Sequence, residues 1–249
     1  MKWNKKTLSN VARVALVLAL AVSVIGFTER SPEGDVCHNI IIAIENEAGN
    51  YFLGEDDILN LISNNGLKPV AGAPFSTLNL KVMEDMVKEE PFVSEVEIFR
   101  DMKSNLHVNV DLKRPMARII RTDGPHAYVA EDRSLMPVSD EFSSRVMLLS
   151  GNIDESMESE ETAEVLDLVE KIYKDDFWSG QISQIHIKRN GEIVMYPQVT
   201  KQTIEFGLPE DADEKFKKLK IFYTKILPSE GWNAYSRVNV AFKDQIIAE

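Results

Sequence analysis

Cysteine and histidine are scarce in this sequence. Its 249 residues include one cysteine, Cys37, and four histidines. A single cysteine excludes an intramolecular disulfide, so the core must be stable without covalent cross-links. The histidines form no His-x-x-x-His pair and lie in no Cys-x-x-Cys context, which excludes the common local zinc motifs. The sequence therefore predicts no metal and no cofactor.

Motifs for phosphate binding and nucleophilic catalysis are also missing. The sequence has no glycine-rich phosphate loop, and Ser150-Gly151 lacks the Gly-x-Ser-x-Gly pattern of a nucleophile elbow. The acidic run at 154–161 lacks the spaced ligands and central glycine of a calcium loop, and we interpret it as a solvated segment before a helix. We predict no catalytic residue and no small-molecule substrate.

Positive charge is in deficit over most of the chain. The sequence has 28 basic and 40 acidic residues, a formal net charge of −12. Four of the basic residues precede position 29, and no acidic residue does. The remainder is therefore more acidic than the whole, and its charge would repel phosphates. This balance excludes nucleic acid as a partner.

One long apolar run is present, VARVALVLALAVSVIGF at 11–27. At about 1.5 Å per residue it reaches roughly 25 Å, near the short end for a bilayer span. Basic residues before it and acidic residues after it predict a transmembrane helix at 11–28, with residues 1–10 cytoplasmic and the rest outside the membrane. The alternative is a cleaved signal peptide ending near Ala19-Leu20-Ala21, but the apolar run continues through Phe27.

After a polar spacer at 29–38, the pattern predicts a small β-α-α-β-β domain at 39–117. Acidic residues at 55–57 favour a helix start, and Asn65-Gly66 ends that helix. Asn79 is a suitable N-cap for a second helix, which ends before Pro91. Alternating apolar residues then predict two strands over 92–112. Two helices on one face of three strands would bury a single core.

The remainder, 118–249, is richer in strand patterns. Hairpin turns are predicted at 131–133 and at Asn190-Gly191, and helices are predicted near 165–172 and 213–227. Alternation over 236–249 predicts a final strand. The predicted fold class is α+β: a single transmembrane helix, the β-α-α-β-β module, and a mostly antiparallel β domain with two or more helices.

Several stretches, in this order and spacing, resemble the bacterial cell-division family FtsQ/DivIB. FSTLNL at 75–80 is similar to the family's F-x-x-L-D-L, and PFV at 91–93 and VDLKRPMA at 110–117 resemble the end of its POTRA domain. AEDRSLMPVS at 130–139, LLSG at 148–151 and VNVAF at 238–242 are similar to motifs of its β domain, although Ala241 stands where arginine is common.

The resemblance implies a non-enzymatic, single-pass scaffold of the inner membrane at the division septum. It further implies an extracytoplasmic body and FtsB-like and FtsL-like division proteins as partners. Two alternatives remain open: an exported POTRA-bearing transport or assembly module, and an exported cell-wall enzyme. An enzyme would turn over a substrate and lose that turnover on one Glu or His substitution.

The last predicted strand is the candidate binding site. A terminal strand at a sheet edge exposes unpaired N–H and C=O groups, to which a partner can add a strand. The predicted contact residues are Val238, Asn239, Val240, Phe242 and Ile246, with Trp232 nearby. The competing interpretation is that the alternating valines simply face the core. A second docking surface is expected on the membrane-proximal module.

Overall fold

The computed structural model describes residues 35–45, 49, 51–154, 157 and 159–249. The predicted cytoplasmic segment, the transmembrane helix at 11–28 and the spacer up to residue 34 lie outside these residues. Within the described ranges, no helix combines the length and hydropathy that crossing a bilayer requires.

The described residues form twelve strands and six α-helices. The strands are β1 Ile40–Glu45, β2 Val93–Arg100, β3 Leu106–Leu112, β4 Pro115–Ile120, β5 Ala127–Ala130, β6 Leu135–Pro137, β7 Met147–Gly151, β8 Ile182–Ile187, β9 Ile193–Pro197, β10 Thr203–Gly207, β11 Arg237–Asn239 and β12 Ile247–Ala248. The α-helices are α1 Glu55–Ile62, α2 Leu80–Lys88, α3 Glu160–Lys174, α4 Asp176–Gln181, α5 Ala212–Ile221 and α6 Leu227–Glu230. A π-helical turn, Phe222–Ile226, joins the last two helices.

The first domain is the predicted β-α-α-β-β unit. Its sheet has the order β1-β3-β2, with β1 parallel and β2 antiparallel to the central strand. Three acidic residues occupy the first turn of α1, and the Asn79 side chain accepts a hydrogen bond from Val82 N (3.2 Å) at the start of α2. Both helices pack onto one face of the sheet, where Ile58, Val87 and Val108 are fully buried. The element order predicted from the sequence is confirmed.

Residues 35–38, predicted as the end of a free spacer, are part of this domain. Val36 forms a β-bridge with Pro74, and Cys37 N donates to Ala73 O (2.9 Å). The Cys37 side chain is fully buried, and burial raises the pKa of its thiol. The prediction of a spacer reaching residue 38 is therefore wrong, because the backbone of this segment pairs with the loop before α2.

The second domain is built on a nine-stranded sheet in the order β12-β11-β10-β9-β8-β7-β4-β5-β6. Five strand pairs are antiparallel, while β4–β7, β7–β8 and β10–β11 are parallel. Helical crossovers between β7 and β8 and between β10 and β11 return the chain in the same direction, which parallel pairing requires. The sheet is thus mixed, and its core lies under α3 and α5.

The boundary between the domains falls a few residues before the predicted position of 117/118. Strand β4 begins at Pro115 and pairs with both β5 and β7 of the large sheet. Residues 115–117 therefore belong to the second domain. Pro115, which the prediction placed near the end of the first domain, instead begins the first strand of the second.

An aromatic cluster joins the two domains. Phe52 stacks on Phe92 with ring centroids 4.8 Å apart, and its edges meet Tyr128 at 5.4 Å and Phe142 at 5.0 Å. Phe52 and Phe92 come from the first domain, whereas Tyr128 lies on β5 and Phe142 follows β6. Met136, fully buried, completes the cluster. The first domain is thereby packed against the β5–β6 end of the large sheet.

Candidate protein-binding edge

A serine and a histidine approach each other on neighbouring strands of the large sheet. Ser150 Oγ lies 3.1 Å from His186 Nδ1, and Gln184 Nε2 donates to Ser150 Oγ (2.9 Å). Ser150 and His186 are register partners on β7 and β8, so strand pairing alone brings them together. A nucleophilic serine needs a base that a third group orients. Among the described residues no carboxylate contacts the His186 ring, and we interpret the pair as a cross-strand contact.

In the described part of the chain, no group of three His, Cys, Asp or Glu side chains is arranged to hold an ion. The remaining candidate site is the backbone of the terminal strands, where the sequence predicts protein binding.

The single final strand predicted over 236–249 is wrong, and so is its position as the free edge. The segment forms two strands, β11 at Arg237–Asn239 and β12 at Ile247–Ala248, joined by a turn. On one side β11 pairs with β10, and on the other side β12 pairs back onto it. The chain's own backbone therefore covers the strand that carries Val238 and Asn239, and β12 is the edge.

The hydrogen-bond pattern shows which backbone groups of β12 face outward. Arg237 N donates to Glu249 O, and Glu249 N donates to Arg237 O, both at 3.0 Å. In an antiparallel ladder the residue next to such a doubly bonded pair directs its N–H and C=O away from the partner strand. Ala248, which lies opposite Val238, is that residue. No described residue pairs with its two backbone groups, which lie at the sheet edge.

A polar ladder on the side chains holds the last three strands in register. Arg237 donates to Glu205 Oε1 on β10 (3.2 Å) and to Glu249 Oε2 (2.7 Å). Asn239 Nδ2 donates to the second carboxylate oxygen of Glu205 (2.7 Å). The hydrogen bonds to Glu249 and Glu205 raise the pKa of the Arg237 guanidinium. The arrangement fixes β12 next to β11 without using the outward groups of Ala248.

A lysine of helix α5 binds the turn between β11 and β12. Lys218 Nζ donates to Val240 O (2.6 Å) and to Phe242 O. Asn239 Oδ1 accepts from Ala241 N (2.9 Å), and Asp244 adopts a left-handed φ of 59°. These contacts reverse the chain direction within a few residues, which is why the alternating pattern does not continue as one strand.

The six predicted contact residues separate into two groups. The side chains of Val238 and Val240 are fully buried in the core, as the competing interpretation held, and Ile246 packs partly against it. Asn239 is engaged with Glu205. Phe242 and Trp232 are half-exposed, at 50% and 49%. The structure thus leaves the two aromatic side chains available at the surface.

Two exposed apolar residues near the edge were missed by sequence reasoning. Ile247 lies on β12 itself, and Ile221 is at the end of α5. Ile221 and Ile246 line a surface groove of about 530 Å³ between α5 and the turn, with Lys217 and Gln245. The sequence signal that could have found Ile221 is helical periodicity, which places it on the face of α5 opposite the buried Phe216 and Leu219.

Comparison with known families gives two matches that together cover nearly all of the described chain. Residues 35–111 match the POTRA-like domain, and residues 114–249 match the family described as FtsQ/DivIB, C-terminal related. The two matches meet where the structure places the domain boundary. No curated protein matches the chain. Because the second match covers more than half of the sequence, the chain belongs to the FtsQ/DivIB, C-terminal related family.

Proposed function

We propose that this protein is a non-enzymatic, single-pass scaffold of the bacterial division machinery that docks partner membrane proteins outside the cytoplasm. Membership of an FtsQ/DivIB-related family and the POTRA-like domain support a role in cell division. The apolar run at 11–27, which basic and no acidic residues precede, supports an anchor in the inner membrane with the two domains outside at the septum.

The observation that carries the proposal is the free edge of β12. The outward N–H and C=O of Ala248 give an extended segment of another protein two hydrogen-bonding groups at the end of a nine-stranded sheet. Partners that add a strand gain affinity from main-chain bonds and specificity from neighbouring side-chain pockets. The sequence-predicted site is thus moved by one strand, from β11 to β12.

Side chains around the edge supply the specificity surface. Ile247, Phe242 and Trp232 expose apolar area, and the groove beside α5 offers a second contact with Ile221 at its wall. An FtsB-like or FtsL-like segment that pairs with β12 would cover this apolar area. Val238 and Val240 act only indirectly, because their buried side chains hold β11 on the core.

Replacing Ala248 with proline tests the docking mode. Proline removes the outward N–H, which no residue of the ladder uses, so the fold should persist. We expect Ala248→Pro to weaken binding of the soluble segment of an FtsB-like partner by about tenfold or more, the loss of about one well-made hydrogen bond. Titration calorimetry with the purified residue 35–249 fragment would measure this loss.

The matched control is Ala248→Val, which keeps the N–H and favours an extended backbone. Circular dichroism of both variants checks that each remains folded. Binding by the folded proline variant at wild-type strength would rule out strand addition at β12. Equal weakening by valine and proline would locate the contact in side chains instead.

A further inference from the structure

Charge is distributed unevenly between the two ends of the first domain. We define the N-terminal end as the loops at 35–39, 63–79 and 100–105. They share one end because β1 and β3 begin there in register, at Ile40 and Leu106, and β2 finishes there at Arg100. The loop before α2 joins them, since Val36 bridges Pro74 and the Arg100 guanidinium lies over the Phe75 ring.

The N-terminal end is nearly neutral, whereas the opposite end is strongly acidic. The N-terminal end contains the basic residues Lys68, Arg100 and Lys103 and the acidic residues Asp35 and Asp101. Asp35 is paired with Arg100. The described residues at the opposite end, around the domain boundary, include three basic residues, Lys88, Lys113 and Arg114, and eight carboxylates, Glu45, Glu55, Asp56, Asp57, Glu89, Glu90, Glu95 and Asp111. An anionic surface would therefore meet the domain only at its N-terminal end.

Two apolar side chains project from this same end. Met102, at the tip of the β2–β3 hairpin, is fully exposed, and Leu67, in the loop after α1, is 78% exposed. Each is followed directly by a lysine, Lys103 or Lys68. Among the described residues no ion pair engages either ammonium group. Two loop tips thus present the same apolar–cationic combination.

The described part of the first domain begins at this surface, at Asp35. Asp35 accepts a hydrogen bond from Ser104 of the hairpin, and Lys103 O lies 3.1 Å from His38 Nδ1. Only six residues, 29–34, separate Asp35 from the predicted span, and even fully extended they reach about 20 Å. The hairpin tip is therefore kept close to the membrane surface from which that apolar segment would emerge.

We propose that the N-terminal end of the first domain rests on the lipid surface, with Met102 and Leu67 inserted among the outer headgroups. Lys103 and Lys68 then reach lipid phosphates, as lysine does at membrane interfaces. An apolar tip with adjacent lysines is the composition that binds the headgroup boundary. The inference rests on the anchor in the proposed function and adds to it a fixed orientation of the domain.

Depth-dependent quenching of a fluorophore tests the contact. The full chain would be reconstituted in vesicles of phosphatidylethanolamine with a minority of phosphatidylglycerol, carrying Met102→Cys, Leu67→Cys or Val199→Cys with an environment-sensitive label. Cys37 is fully buried and stays unlabelled in the folded protein. Val199 is the matched control because it is also 78% exposed but lies in the second domain.

We expect a blue shift and quenching by lipid-attached quenchers for the labels at 67 and 102, and neither effect at 199. Carbonate extraction separates the two hypotheses. Protein that stays in the vesicles with no quenching at 67 and 102 overturns the lipid contact alone. Protein that carbonate removes overturns the anchor, and the lipid contact with it. Equal quenching at all three positions would mean non-specific adsorption and would also overturn the contact.

Discussion

At the scale of single residues, Lys218 links helix α5 to the binding edge. Its ammonium holds the carbonyls of Val240 and Phe242. We expect Lys218→Met to keep the fold, to cost about 1 kcal/mol of stability, and to speed hydrogen exchange over 240–246. Mass-spectrometric hydrogen exchange would show this change. Lys217→Met is the control, because Lys217 lines the same groove and bonds to neither carbonyl. Unchanged exchange in the Lys218 variant would contradict the assigned role.

Asp101 is the residue whose titration bears on the β2–β3 hairpin. Hydrogen bonds from the backbone and side chain of Asn105, with His107 contributing, hold the pKa of this carboxyl far below its ordinary value. Because the folded-state pKa is depressed, the ionised carboxylate stabilises the fold. This stabilisation is fully present above the ordinary pKa of about 3.9 and is lost as the pH falls below it.

The hairpin should therefore lose stability on acidification below about pH 4 and show no Asp101-dependent change between neutral pH and pH 5. Amide exchange of residues 103–105, followed by NMR across this range, would measure it. Asp101→Asn should remove the acid-dependent part, since asparagine does not titrate. Identical acid profiles in the two proteins would count against the carboxylate as the source.

At the scale of elements, the start of α2 depends on one side chain. Asn79 accepts from Val82 N, and replacing an N-cap residue with alanine typically costs about 1 kcal/mol. We expect Asn79→Ala to lower the free energy of unfolding by about that amount in urea denaturation, whereas Asn79→Asp should keep or slightly raise it. Equal loss in both variants would show that the cap bond is not the cause.

Local signals explain which elements could be predicted from the sequence. The cap at Asn79, the acidic first turn at 55–57 and the turn at Asn190-Gly191 between β8 and β9 act within a few residues of themselves. They mark helices and hairpins correctly. Pairing between distant strands leaves no such mark. The parallel pair β7–β8 depends on a helical crossover, and the parallel pair β4–β7 is joined through the β5–β6 hairpin.

The candidate site was only partly predicted, because contacts between distant elements also determine it. Alternation over 236–242 correctly indicated that Val238 and Val240 share a buried face. It could not show that the chain turns back, because the contacts that break the strand come from Lys218 on another element and from the left-handed backbone of Asp244. Periodicity indicates which face of a strand is buried. Whether that strand lies at the edge of a sheet depends on which other strands pair with it.

At the scale of the molecule, the proposed partner site and the domain contact lie at opposite ends of one sheet. The aromatic cluster sits at β5–β6, and β12 forms the other edge, eight strand spacings or roughly 40 Å away. A continuous sheet joins them, so a partner at β12 is held at a defined distance from the first domain as long as Phe52 keeps the domains packed.

Removing the Phe52 ring should loosen this arrangement. Phe52→Ala deletes a buried side chain that touches Phe92, Tyr128 and Phe142, and such substitutions cost about 3 kcal/mol or more. We expect the first domain to melt at a lower temperature than the second in calorimetry, and the radius of gyration in X-ray scattering to rise.

The neighbouring Tyr51→Ala is the control. Tyr51 is largely exposed and meets only the edge of Phe142 within the described part of the cluster. The Tyr51→Ala variant should have the same melting temperatures and the same radius of gyration as the wild type. A Phe52 variant with one unchanged transition and an unchanged radius would indicate that the domains stay together by other contacts.

The brevity of β12 also limits how copies of this protein can associate. An exposed margin of two residues gives a second molecule too few main-chain bonds to stack edge to edge, which is how sheet proteins commonly begin to aggregate. A longer partner strand that also covers the neighbouring apolar side chains would gain more binding free energy. Many copies of the protein can then be crowded together without self-polymerisation.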